Sequence, residues 1–130
     1  MADMKFLVVD DSLTMRRIVV NALKSLGYEH VIEGADGKEA VNKLVTEGAS
    51  FVITDWNMPE MSGLELAKWM RSNPQFEATP ILMITTRGNK DDVIEAMKAK
   101  VNNYIVKPFT PQGLKEKIES IMKTVEMKAS

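Results

Sequence analysis

Cysteine is missing from the 130 residues, which excludes disulfides and thiolate metal ligands and is compatible with a reducing compartment. An excess of one charge is missing too: 17 lysines and arginines stand against 18 aspartates and glutamates, so there is no overall basic footprint for nucleic acid. No apolar stretch approaches the roughly 20 residues that span a bilayer. The opening Met1-Ala2-Asp3-Met4-Lys5 leads directly into an apolar run without a signal-peptide pattern, so a cytoplasmic location is expected, with neither membrane nor nucleic acid as a partner. Repeats, low-complexity segments and Pro/Gly-rich linkers are also absent. A chain of this length fills one core and leaves no room for a second, so one domain over residues 1–130 is expected, with nothing left over for an effector domain. Methionine, in contrast, is plentiful at ten residues, mostly as core filler with one or two available for an adaptable partner surface.

What the chain does contain is an alternation of short β-branched apolar runs and helical patterns. Strands are expected near 5–9, 30–34, 51–54, 81–85 and 103–106, and helices near 14–26, 37–47, 63–72, 90–99 and 111–126. In the first helix Met15, Ile18, Val19, Ala22, Leu23 and Leu26 form the expected buried stripe. Arg16, Arg17, Asn21 and Lys24 are assigned to the opposite side, and Gly27 stands where a helix ends. Ala40, Val41, Leu44 and Val45 give the second helix its stripe, closed by Gly48. Asp91 and Asp92 open the fourth helix and Lys98 and Lys100 close it, complementing the helix dipole. Thr110-Pro111 is a natural start for the fifth, whose inward face is Leu114, Ile118, Ile121 and Val125. Five such alternations predict an α/β fold: a doubly wound parallel sheet of five strands with helices on both faces, three layers deep.

Charged residues at the strand ends carry the chemistry. Asp10 and Asp11 follow Phe6-Leu7-Val8-Val9, Asp55 follows Phe51-Val52-Ile53-Thr54, and Lys107 follows Tyr104-Ile105-Val106. The carboxyl ends of the strands of an open parallel sheet line one crevice, so these residues should meet. Three carboxylates that close repel one another unless a cation intervenes. A hard divalent ion with oxygen ligands resolves this, and Mg²⁺ is the expected cofactor. Asp55 is the candidate nucleophile, because a carboxylate can attack phosphorus when metal and lysine charges offset the repulsion between anions. Lys107 would supply the ammonium and Thr85 a hydroxyl hydrogen bond. Taken singly, Asp10-Asp11-Ser12 could be a turn and cap, Thr85 a strand-end hydroxyl and Lys107 a solvated charge. Their convergence gives each its meaning. Trp56, next to the acceptor, is expected to report cation binding by its fluorescence.

Val8-Val9-Asp10-Asp11-Ser12, Asp55-Trp56-Asn57-Met58-Pro59, Thr85-Thr86 and Lys107-Pro108-Phe109 together resemble the receiver domain of two-component response regulators. The similarity covers essentially the whole chain. Asp55-Trp56-Asn57-Met58-Pro59 and Asn103-Tyr104-Ile105-Val106-Lys107-Pro108-Phe109-Thr110 make it most like the single-domain chemotaxis regulators of that family. The resemblance implies strand order 2-1-3-4-5 and a phosphorylation switch rather than an enzyme acting on other substrates. It implies that Asp55 accepts phosphoryl from a sensor histidine kinase, with Mg²⁺ held by Asp11, Asp55 and the backbone carbonyl of Asn57, and by Asp10 through water. Thr85 and Lys107 would move onto the phosphoryl group, Tyr104 would turn inward behind Thr85, and the Lys107-Pro108 peptide would be cis. The readout surface would comprise Lys90, Met97, Tyr104, Lys115 and Lys117, presented by a monomer to the flagellar motor switch protein, with a phosphatase as a further partner. Bland readings compete for the lysines, each of which also suits a solvated helix face.

Four positions depart from the family pattern. Arg87 lies just past the site, Thr86 replaces a smaller residue, Lys100 stands where glycine is usual, and Trp69 falls on the outer face of the third helix. The same motifs also suit a phosphorelay intermediate or phosphate sink that passes phosphoryl to a histidine phosphotransfer partner. A flavodoxin should carry a phosphate-cradling loop where Asp10-Asp11 stands, and an aspartate-nucleophile phosphatase should have its two aspartates one residue apart. Both fit poorly.

Overall fold

Short strands that are apolar at nearly every position need cover on both faces, and the chain supplies it by returning through a helix after each strand. The computed structural model describes residues 4–86 and 88–129. The order is β1 (Lys5–Val9), α1 (Leu13–Ser25), β2 (His30–Gly34), α2 (Gly37–Thr46), β3 (Phe51–Asp55), α3 (Gly63–Arg71), β4 (Ile81–Thr85), α4 (Lys90–Lys98), β5 (Asn103–Val106) and α5 (Pro111–Ala129). All five strands are parallel in the order β2-β1-β3-β4-β5, as expected. The bounds of β1, β2, β4 and β5 coincide with the expected ones, while β3 and the helices differ from theirs by one to three residues at one or both ends.

The two-residue period of the strands divides the interior into two cores. Phe6, Val8, Phe51, Ile53, Leu82 and Ile84 face one way and pack with Val19, Leu23, Leu114, Ile118 and Ile121 of α1 and α5. Leu7, Val9, Val52, Ile81 and Met83 face the other way and pack with Ala40, Leu44, Leu66, Met70 and Ala96 of α2, α3 and α4. Within α4 itself Ala96 is the one buried residue.

Each helix begins at the end of the sheet where its strand finishes, and most are capped there by a polar side chain. Ser12 Oγ accepts from the Met15 amide, Asp36 from Glu39, and Asn89 from Asp92. Ser62 and Glu65 form a reciprocal capping box. Thr110 Oγ1 accepts from the Gly113 amide, in keeping with its expected place before α5.

Two expected core residues are not in the core. Ile18 is 47% exposed and Val45 59% exposed. The buried arc of α1 is Val19, Val20, Ala22 and Leu23, and at about 100° per residue Ile18 falls on its margin. In α2 the arc centres on Ala40 and Leu44, one position short of Val45. Trp69 is half-buried, with its ring 5.5 Å from that of Phe76.

At the opposite end of the sheet from the helix N-termini, Arg71 gathers several chain segments. Its guanidinium donates to the carbonyls of Phe76, Glu77, Thr79 and Lys100 and to Asn102 Oδ1. Lys100 has φ +64°, the left-handed conformation that the departure from glycine brings into question. A side chain there costs about 1 kcal/mol. Lys100→Gly is accordingly expected to raise stability by about that amount, read as a higher urea midpoint at unchanged slope. An unchanged or lower midpoint would refute the strain account.

Candidate functional site

Register brings the charged strand ends together. Val9 pairs with Thr54, so Asp10 and Asp55, each one residue further on, are neighbours across β1 and β3. Asp55 pairs with Ile84, which sets Thr85 next along the crevice. Thr85 pairs with Val106, and Lys107 follows. The Lys107-Pro108 peptide is cis, as the resemblance implied.

Carboxylate oxygens of Asp10, Asp11 and Asp55 all lie within 4.8 Å of one another. Asp10 is buried, Asp11 is exposed at the mouth, and Asp55 is intermediate. Lys107 Nζ sits 3.3 Å from Asp55 Oδ1 and 3.6 Å from Asp10 Oδ2, bridging the two. The Trp56 amide donates to Asp55 Oδ1 at 2.9 Å, and Thr54 Oγ1 donates to the Asp55 carbonyl. Ser12 N donates to Asp10 Oδ1 at 2.9 Å. Outside Asp11 opens a cleft of about 390 Å³ lined by Trp56, Asn57, Met58, Pro59 and Ser62. Three hard oxygen donors, one of them accessible, with a cleft beside them, suit a small divalent cation.

Burial pushes the Asp55 carboxyl above its ordinary range, with repulsion from Asp10 adding to it; the Lys107 ammonium and the Trp56 amide oppose the shift. A carboxylate whose folded pKa is raised contributes stability at low pH that is lost as pH rises through the folded value. Ionised Asp55 therefore works against the metal-free fold at neutral pH. In chelator, Asp55→Asn is expected to be more stable than the parent at pH 7, and the gap should close as pH falls into the ordinary carboxylate range. A gap that is constant with pH would show that charge is not its origin.

The remaining expected residues divide by position. Thr85 is fully buried at its strand end and its carbonyl accepts from the Lys107 amide at 2.8 Å, while Thr86 is exposed beside it. Arg87 lies outside the described residues. Tyr104 is half-buried against the α4 side of the core, with Lys117 Nζ 5.6 Å from its ring centre and 3.4 Å from Asn103 Oδ1. Met97 and Lys90 are exposed on α4, and Lys115 is half-buried on α5. The readout candidates thus lie on α4, β5 and α5, apart from the carboxylates.

Arg16 was expected among the solvated residues of α1 and is not. Its side chain is 14% exposed, and it donates to the Asp10 carbonyl at 2.7 Å and to Glu33 Oε1 at 2.9 Å. The spacing held the signal: residues 16, 19, 20 and 23 share one stripe, so Arg16 extends the buried face of α1 beyond the end of the sheet.

The sequence profile of the response regulator receiver domain family matches residues 6–119. Chemotaxis protein CheY1 of Helicobacter pylori is 60% identical over 122 residues, which cover 93% of this chain and 98% of that protein. The CheY homolog of Campylobacter jejuni is 57% identical over 122 residues, covering 93% of this chain and 94% of the relative. Among solved structures, the chemotaxis response regulator CheY4 of Vibrio cholerae superposes with a TM-score of 0.85 at 36% identity, covering 91% of this chain and 98% of that one. A response regulator structure from Chloroflexus aurantiacus gives a TM-score of 0.87 at 32% identity, over 92% of this chain and 98% of that one.

Proposed function

This chain belongs to the response regulator receiver domain family, and from that membership we propose that residues 1–130 act as a single phosphorylation-operated receiver domain in chemotaxis signalling. The observation that carries the reading is the crevice itself: three carboxylates within 4.8 Å, one of them at the end of β3 and bridged to Asp10 by Lys107. Asp55 is the acceptor. Its carboxylate oxygen forms a P–O bond as the P–N bond of a kinase phosphohistidine breaks, and the imidazole leaves.

Asp10, Asp11, Asp55 and the Asn57 carbonyl would hold Mg²⁺, which when bound offsets the negative charge of the incoming group. The chain's own contribution is positional. Lys107 already lies against the Asp55 oxygen and can follow its charge outward onto a phosphoryl oxygen. Thr85, one strand over, offers its hydroxyl to the same group. Tyr104, on the same strand as the residue preceding Lys107, carries the change to the α4-β5-α5 surface with Met97, Lys90, Lys115 and Lys117. Lys117 over the Tyr104 ring couples the tyrosine to α5.

The partners of this reading are a sensor histidine kinase, a phosphatase and the flagellar motor switch protein, met by a cytoplasmic monomer. No helix among the described residues is long and apolar enough to cross a membrane. The name of the Helicobacter pylori relative supports the chemotaxis part of the proposal. The test is binding of the amino-terminal peptide of the motor switch protein with and without a beryllofluoride mimic of phospho-Asp55. The mimic is expected to tighten binding about tenfold or more, a coupling of about 1.4 kcal/mol. Mimic binding without any peptide binding would remove the motor from the reading and turn attention to a histidine phosphotransfer partner.

A further inference from the structure

Arg16 is a charged side chain on the apolar stripe of α1, and none of the steps above uses it. It does not touch the three carboxylates through its own charge. It reaches instead the backbone carbonyl of Asp10, at 2.7 Å from Nη1, while Nε is tied to Glu33 Oε1 on the neighbouring strand β2 at 2.9 Å. The carbonyl it holds belongs to the peptide that joins Asp10 to Asp11. Two other bonds hold the chain on either side of that peptide: the Asp10 amide donates to the Gly34 carbonyl at 3.1 Å, and Asp10 Oδ1 accepts from the Ser12 amide. Of these bonds, the one from Arg16 is made to the carbonyl of that peptide itself, and it restrains rotation of the peptide against Asp11.

We propose that Arg16, held in place by Glu33, is a positioning residue that sets the Asp10–Asp11 peptide and thereby the direction of the exposed Asp11 carboxylate toward a divalent cation. The inference rests on the reading of Asp10, Asp11 and Asp55 as the cation site. The pairing with Glu33 has a second consequence. A guanidinium beside an acidic cluster would by itself repel a divalent cation; the Glu33 carboxylate cancels that charge and leaves only the hydrogen-bonded geometry.

Geometry and electrostatics then predict opposite signs. Removing a nearby cation tightens Mg²⁺ binding if charge governs, whereas removing a positioning group weakens it. In Mg²⁺ titrations of the full chain, followed by calorimetry and Trp56 fluorescence, Arg16→Met is expected to raise the dissociation constant about tenfold, the usual cost of losing a group that orients a ligand. Glu33→Gln keeps an acceptor for Nε and is expected to bind Mg²⁺ more tightly than Glu33→Ala, although both remove the same charge. In the metal-free chain the Ser12 amide, which donates to Asp10 Oδ1, should exchange faster in Arg16→Met, with the Leu23 amide unchanged, which separates a local release from general destabilisation. Equal or tighter Mg²⁺ binding by Arg16→Met, or indistinguishable Glu33→Gln and Glu33→Ala, would overturn the role of Arg16 alone. No Mg²⁺ binding by the unaltered chain would overturn the cation site on which it rests.

Discussion

Asp55→Asn is expected to lose phosphoryl transfer to background while keeping its fold. The amide oxygen still accepts from the Trp56 amide, and the Asp55 backbone carbonyl still accepts from Thr54, so the crevice should keep its shape. On the proposed reading what disappears is the anionic nucleophile, and with it one of the three clustered carboxylates that would hold a cation. The alternatives are close at hand, since Asp10 and Asp11 also present carboxylates here. They differ in surroundings. Asp10 is buried and already accepts from the Ser12 amide, and Asp11 stands at the mouth away from Lys107, whose ammonium contacts Asp55 and Asp10. The assay is incorporation of labelled phosphoryl from a histidine-phosphorylated kinase in Mg²⁺. Persistent labelling of Asp55→Asn would move the acceptor to another carboxylate and sink the assignment of Asp55.

Gly63→Ala is expected to unfold the chain more readily by about 3 kcal/mol, in the range of overpacking and backbone displacement. Gly63 is the first residue of α3, and a methyl group on it would run into the carbonyl oxygen of Asp55 and approach Cα of Trp56 at 3.2 Å. Both obstacles are backbone, so neither can swing aside. The same residue donates its amide to the Trp56 carbonyl at 2.8 Å, closing the loop from β3 to α3 on itself. Relief requires either the loop or the end of β3 to shift, and both shifts move Asp55. A urea midpoint lowered by that much, with weaker Mg²⁺ binding in the surviving folded fraction, is the expected pair of results. Unchanged stability would mean that α3 can slide without cost, and that the loop does not hold the acceptor.

The sequence made the sheet legible because its strands are continuous apolar runs ended by charge, a pattern that depends little on neighbours. The same runs placed Asp10, Asp55, Thr85 and Lys107 at one edge. The faces of helices were less legible. Ile18 and Val45 satisfy helical spacing yet lie exposed, since spacing gives the width of a stripe and leaves its centre to whatever the helix packs against. Arg16 shows the complementary error. Charge suggested water, but the helix extends past the sheet, and there its inward face meets the Asp10 carbonyl and the Glu33 carboxylate rather than apolar side chains. Asp11 and Asp55 could be brought together from the strand pattern, while the peptide between Asp10 and Asp11 could be understood only from coordinates.

Helix α4 hangs on the sheet by little more than Ala96, whereas α1 buries Val19, Val20, Ala22 and Leu23. At about 0.8 kcal/mol per buried methylene, the difference in grip between two such helices amounts to several kcal/mol. Inverting a two-state population from 1:99 to 99:1 takes about 5.5 kcal/mol. On the proposed reading, a phosphoryl group on Asp55 would have less packing to overcome in shifting α4 than in dislodging a helix anchored like α1. Arg71 meanwhile ties the Lys100 carbonyl just beyond the far end of α4. The helix is thus a beam tied beyond one end and lightly seated along its length, with Asn89 and Lys90 exposed at its other end, on the side of the sheet where the carboxylates gather.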